Sequence, residues 1–68
     1  MKVRYFPDTD TLLIDLSDRK IVETRDVNER VLVELDEDGQ LVSMTIEHAG
    51  SQTDVNEFSY QLVTALTG

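Results

Sequence analysis

The segment around Asp38-Gly39 constrains the fold more than any other part of this sequence. It separates two runs, Val31–Leu35 and Leu41–Ile46, that are dense in apolar residues at alternate positions. An alternation of period two is the pattern of a β-strand with one buried face. Asp-Gly between two such runs is typical of a tight hairpin turn, because glycine adopts positive φ angles without a steric cost. We therefore expect an antiparallel hairpin over residues 31–46. Its inward-facing residues are Val31, Val33, Leu35, Val42, Met44 and Ile46.

A second hairpin is expected near the N-terminus. Val3–Phe6 and Thr11–Leu16 are β-prone runs on either side of the short segment Pro7–Asp10. Proline fixes its own φ angle and cannot donate to a sheet ladder, while aspartate favours turn conformations. A weaker alternation over Ile21–Val27 predicts a further strand between the two hairpins.

The periodicity changes after Gly50. Asp54 and Glu57 have the spacing of a helix capping box. The residues Val55, Phe58, Leu62 and Leu66 then recur at intervals of three and four, as on one face of a helix. A helix over residues 53–66 is therefore expected to cover one face of the sheet, because a short helix is marginal in water by itself.

Together these elements predict an α+β fold. We expect a small antiparallel β-meander of four to five strands, packed against one C-terminal helix. The β-hairpins fall within residues 1–49 and the helix within 53–66, so residues 1–68 are expected to form a single domain. The chain contains no cysteine, which leaves self-association as the main additional source of stability for so short a protein.

The charge of the chain is unevenly distributed. The net charge is −8, and residues 31–68 contain seven acidic residues and no basic one. Such a surface repels nucleic acid and anionic membranes, whereas it accelerates association with a basic protein. The alternative is that the charge serves only solubility. No apolar run is long enough for a signal peptide core or a membrane span, so we expect a soluble, cytoplasmic protein.

The side chains that could bind a metal or transfer a proton form no recognisable active site. Glu34, Asp36 and Asp38 match the start of a calcium-loop pattern, but Thr45 stands where the loop needs a bidentate glutamate. His48 is the only histidine and ends a strand, where packing is a commoner role than proton transfer. We therefore expect no catalytic residue, no metal ligand and no cofactor.

An apolar surplus lies on the second sheet face. Alternation places Leu13, Leu32 and Leu41 opposite the inward-facing set. Contiguous exposed apolar area marks an interaction surface, which favours a homodimer or a higher oligomer. The alternative is that loops of the same chain cover this face.

Two segments of the chain resemble a known protein family. Tyr5–Ser17 and Val31–Val42 are similar to the opening strands and to the hairpin of the domain of unknown function 2283 family, which comprises small prokaryotic proteins. The resemblance covers residues 1–49, with Glu34 where aspartate is common and a divergent Ser43–His48. It implies a compact α+β fold without assigned catalytic residues. Some members resemble the small partner of a ribonuclease-like toxin, which implies an antitoxin-type role.

Two functional hypotheses follow. The leading one is a non-catalytic protein-interaction module that self-associates through Leu13, Leu32 and Leu41. It would also offer Glu34, Asp36 and Asp38 to a basic partner such as a toxin-like nuclease. The alternative is a small-ligand or metal-dependent enzyme with a site at an oligomer interface, for which His48, Glu47 and Asp15 are the candidate residues.

Overall fold

Five β-strands and one short helix make up the part of the chain that the structure describes. The structure is a computed structural model and describes residues 1–64. The elements are β1 (Lys2–Phe6), β2 (Thr11–Asp15), β3 (Glu23–Asn28), β4 (Val31–Leu35), β5 (Leu41–Glu47) and α1 (Ala49–Gln52). All neighbouring strands pair antiparallel. Both expected hairpins are confirmed.

The hairpin between β4 and β5 closes as its sequence predicts. Gly39 has a φ angle of 77°, and its amide donates to the carbonyl oxygen of Asp36 at 3.0 Å. The carboxylate of Asp36 accepts hydrogen bonds from the amides of Asp38 and Gln40, both at 2.9 Å. An aspartate at the start of such a turn satisfies the backbone groups that the ladder leaves unpaired.

The strand order differs from the expected meander. The order across the sheet is β1-β2-β5-β4-β3, so β2 pairs with β5 and not with β3. Strands β2 to β5 thus have the order of a Greek key, with three hairpin-connected strands and one strand that returns beside them. The connection between β2 and β3 passes the end of the β4–β5 hairpin. There Leu16 donates to Val42 at 2.8 Å, and Val22 donates to Leu35 at 2.9 Å.

The polarity of the strands explains this order. β3 carries the sequence Glu-Thr-Arg-Asp-Val-Asn, and all six of its residues are exposed. It lies at the sheet edge and contains a β-bulge between Asp26 and Asn28, a device that protects edges from further pairing. The apolar strand β5 takes the central position instead. The expected strand over Ile21–Val27 is therefore present, displaced by one to two residues.

The long C-terminal helix is not found where the sequence predicted it. Among residues 1–64, helical structure is confined to the four residues Ala49–Gln52. The rest of the expected helix, residues 65–66, lies outside the described residues. Asp54 Oδ1 accepts from the Asn56 amide at 3.1 Å, and the Glu57 amide donates to the Asp54 carbonyl oxygen at 3.3 Å, so residues 54–57 form a turn. This local turn competes with helix initiation, which is costly for a segment that packs little apolar surface.

The described residues enclose a small core. Its buried apolar residues are Leu35, Val42 and Ala49, and no large side chain among residues 1–64 is fully buried. Over the same residues, no helix has the length and apolar character to cross a lipid bilayer. The sheet is thus a single layer with little on top of it.

Candidate functional site

One face of the sheet is apolar over four strands. The strand register aligns two rows of side chains across β1, β2, β5 and β4. The first row is Val3, Ile14, Met44 and Val33, and the second is Tyr5, Leu12, Ile46 and Val31. These eight residues, here called the apolar face, confirm the expected alternation. All of them are half-buried, and within residues 1–64 no second layer of secondary structure covers them.

The segment after α1 covers only part of this face. Residues 53–64, here called the C-terminal arm, follow α1 without regular secondary structure. Their first half and the apolar-face residues of β1 and β2 line a groove of about 630 Å³. Val3 and Leu12 line it from the sheet, and Val55 and Phe58 line it from the arm. The apolar-face residues of β4 and β5 are not part of this groove.

The second half of the C-terminal arm is apolar and exposed. Tyr60 is 70% exposed and Leu62 is 80% exposed. Phe58, Tyr60 and Leu62 occupy alternate positions, and residues 58–64 contain no charged side chain. An uncharged segment of this kind is costly to leave in water, because buried apolar area is the main source of folding and binding free energy.

The dimensions of the chain show how much surface is uncovered. Its accessible surface is 5472 Å², whereas a globular monomer of this mass exposes roughly 4,300 Å². The radius of gyration is 14.1 Å, against about 11 Å for a compact chain of the same length. The chain by itself is thus more open than a typical folded monomer.

The opposite face of the sheet, here called the mixed face, combines leucines with charged residues. Leu13 and Leu32 both pair with Thr45 from either side and are half-buried. Arg4 beside Leu13 forms a 2.8 Å ion pair with Asp15. The third residue of the expected set lies elsewhere, since Leu41 is displaced from this row by the bulge opposite β4 and is 41% exposed.

The acidic stretch is largely engaged within the chain. Asp36 is buried, and its carboxylate lies 2.9 Å from the Arg19 guanidinium. The hydrogen bond from the Gln40 amide lowers the pKa of Asp36 most, and burial opposes it. The hydrogen bond from the Asp38 amide and the positive charge of Arg19 lower this pKa further. Glu34 accepts from the Ser43 hydroxyl at 2.6 Å. Among Glu34, Asp36 and Asp38, only Asp38 presents an exposed carboxylate at the hairpin tip.

A hydrogen-bonded cluster around Asp10, at the other end of the sheet, was not predicted from the sequence. The Tyr5 hydroxyl donates to Asp10 Oδ1 at 2.6 Å, and the Gly50 amide donates to the same oxygen at 2.8 Å. These two bonds, with nearby His48, lower the pKa of Asp10, while the bond to Asp10 raises the pKa of Tyr5. The available signal was an aspartate at the last position of a turn, where left-handed φ angles are tolerated.

The three residues of the enzyme hypothesis are not brought together in one chain. Glu47 pairs with Thr11 at one end of β2, whereas Asp15 pairs with Ser43 at the other end. The two positions are four residue steps apart along β2, a distance of roughly 13 Å. His48 is exposed beside Glu47. No group of His, Asp or Glu residues among residues 1–64 has the geometry to hold a metal ion.

The fold and its surfaces define a small five-stranded antiparallel sheet with one open apolar face. The family model described as Protein of unknown function (DUF2283) matches residues 2–49, which include all five strands. The chain belongs to this family, as its sequence motifs indicated. The C-terminal arm lies outside the matched residues. No curated protein and no solved structure matches the chain.

Proposed function

We propose that this protein is a non-catalytic protein-interaction module that works as a homo-oligomer and captures a basic protein partner. The observation that carries the proposal is the surplus of exposed surface. The chain exposes about 1,100 Å² more than a globular monomer of its mass. A stable interface buries about 800 Å² on each partner, so an interface of ordinary size accounts for this surplus.

The charge of the chain supports the second part of the proposal. With a net charge of −8, the protein attracts a basic partner over a distance of about a Debye length and accelerates the encounter. Glu37 and Asp38 are the exposed acidic residues at the β4–β5 turn. The family resemblance, with its antitoxin-like members, agrees with a basic nuclease as the partner class.

Light scattering over a concentration series tests the self-association. The monomer has a mass of 7.7 kDa. We expect a mass of at least twice this value, which falls only on strong dilution. A mass of 7.7 kDa at every concentration would contradict the proposal, because the open face would then be stable in water without a second copy.

Capture experiments at low and high salt test the basic partner. The immobilised chain is expected to retain a defined basic nuclease at low salt and to release it at high salt. The double variant Glu37→Lys/Asp38→Lys should retain less, whereas the control Asp26→Lys/Glu29→Lys, which makes the same change of charge near the opposite end of β4, should retain nearly as much as the parent chain. Equal capture by all three chains would show that the hairpin tip does not bind the partner.

A further inference from the structure

Within residues 1–64, two apolar surfaces remain accessible to solvent: the β4–β5 half of the apolar face, which is half-buried, and the distal C-terminal arm, which is exposed. Val31, Val33, Met44 and Ile46 form the half of the apolar face that lies outside the groove under the arm. The distal arm, residues 59–64, exposes Tyr60, Leu62 and Val63 by 70%, 80% and 75%. Neither surface carries a charged side chain, and both contain large apolar side chains.

The arm has the pattern of a segment that docks in an extended conformation. Tyr60 and Leu62 are separated by one residue, so an extended backbone presents both on the same side. Six residues from Ser59 to Thr64 span up to about 20 Å when extended. The four strands that carry the apolar face are about 14 Å across, at roughly 4.8 Å per neighbouring pair. The arm is therefore long enough to cross this face.

Charge restricts where two copies can meet. Each copy carries a net charge of −8, so two copies repel one another wherever acidic surface faces acidic surface. The mixed face contains ionised side chains such as Arg4, Asp15 and Glu34. The eight residues of the apolar face and the distal arm are free of charge. An interface between these two surfaces avoids the repulsion.

We infer that the distal arm of one copy docks on the apolar face of a second copy, over β4 and β5, and that the second copy returns the same contact. This inference rests on the self-association proposed above and specifies its surfaces. Because each copy both gives an arm and receives one, a two-fold axis relates the two copies and the assembly is a closed dimer. It covers Tyr60 and Leu62 together with Val33 and Met44. The mixed face is left free for other contacts.

Substitutions in the arm test the interface without disturbing the fold. Leu62→Asp should raise the dimer dissociation constant on the order of 100-fold, since each dimer loses two buried leucines. Gln61→Asp is the matched control, because it adds the same charge to the neighbouring position of the same segment. It should leave the dissociation constant within about threefold of that of the parent chain. Circular dichroism spectra should be unchanged in both variants.

A cross-linking experiment distinguishes exchange between copies from folding of the arm onto its own sheet. The chain has no cysteine, so single-cysteine variants are unambiguous. Mixing Leu62→Cys with Val33→Cys under mild oxidation should give a disulfide-linked pair of chains. Mixing Gln61→Cys with Val33→Cys should give much less of it. The doubly substituted chain should also link between chains and not within one chain.

The possible results separate the inference from the proposal on which it rests. A monomeric parent chain would overturn both. A dimer that survives Leu62→Asp, or that gives only the intrachain disulfide, would overturn arm exchange and leave self-association standing. Dissociation by Leu13→Asp together with survival of Leu62→Asp would place the interface on the mixed face.

Discussion

The side chain of Asp10 binds the backbone amide of Gly50 across forty residues of sequence, with 2.8 Å between Oδ1 and the nitrogen. The carbonyl oxygen of Asp10 also accepts from Ala49 at 2.9 Å. Asp10 and His48 both have left-handed backbones, with φ angles of 55° and 53°. The loop between β1 and β2 thus holds the turn that follows β5. Two unfavourable backbone conformations are offset by the bonds they make to one another's segments.

Removal of this carboxylate should destabilise the protein. Asp10→Ala deletes the acceptor for Tyr5 and Gly50 and leaves alanine in a left-handed conformation. We expect its urea midpoint to fall several times further than that of Asp8→Ala, which alters an exposed residue of the same loop. Equal midpoints for the two variants would show that the Asp10 bonds contribute nothing to stability.

Stability should decline on both sides of neutral pH. The folded-state pKa of Asp10 and Asp36 is below the ordinary 3.8, so their stabilisation is present above that value and is lost as the pH falls through the lowered pKa. The pKa of Tyr5 is above 10.0, so its stabilisation is present below pH 10 and is lost as the pH rises further.

Urea unfolding as a function of pH measures both effects. Asp10→Asn retains an oxygen acceptor and a residue type that tolerates the left-handed backbone, yet it does not titrate. It should show a weaker loss of stability in acid than the parent chain. Tyr5→Phe should weaken the loss above pH 10. Unchanged acid and alkaline profiles in these variants would assign the pH dependence to other groups.

The small core makes the protein sensitive to truncation at Leu35. This residue is 6% exposed, and Leu35→Ala should cost about 2–5 kcal/mol. A chain of this length has a total stability of roughly 3–10 kcal/mol, so the variant should lose a large share of its unfolding free energy. Leu41→Ala, at an exposed position opposite Leu35 in the ladder, should cost less than about 1 kcal/mol. Denaturant unfolding at a fixed protein concentration gives both values, and similar costs would refute this assignment of the core.

The stability cost of a substitution at Gly39 should depend only on how well the new residue adopts the left-handed backbone conformation. Its φ angle is 77°, and a Cβ atom built there would have no neighbour within 4 Å. Gly39→Ala should therefore cost about 1–2 kcal/mol through left-handed strain and not through a clash. Gly39→Asn should cost less, because asparagine tolerates this conformation better. Equal unfolding free energies for the two variants would contradict this explanation.

Much of the local structure could be predicted from the sequence. The turn at Asp38-Gly39, the strand bounds of β4 and the apolar face from Val3 to Ile46 follow from alternation and turn chemistry, which act within a few residues. The candidate site was less predictable. Asp36 looked like a free carboxylate of an acidic stretch, but its partners include Arg19, which arrives from a connection far away in sequence.

The helical pattern after Gly50 shows the limit of periodicity. Residues Val55, Phe58 and Leu62 fit a helix, while Phe58, Tyr60 and Leu62 fit an extended segment equally well. Local propensity does not decide between the two, because a short isolated helix and an unpaired extended chain are both marginal in water. The conformation depends on the surface available for packing, and the structure has residues 53–64 without helix.

The sequence by itself determined the strands, the two hairpin turns and the separation of apolar from polar positions along each strand, because these depend on steric and solvation properties of neighbouring residues. Only the tertiary structure decided that β2 lies beside β5, that Asp10 reaches Gly50 and that, within residues 1–64, the β4–β5 half of the apolar face lies outside the groove under the arm. These features depend on which distant segments pack together. Alternative pairings of similar strands differ little in free energy, and the difference depends on both partner strands and not on the sequence of either one alone.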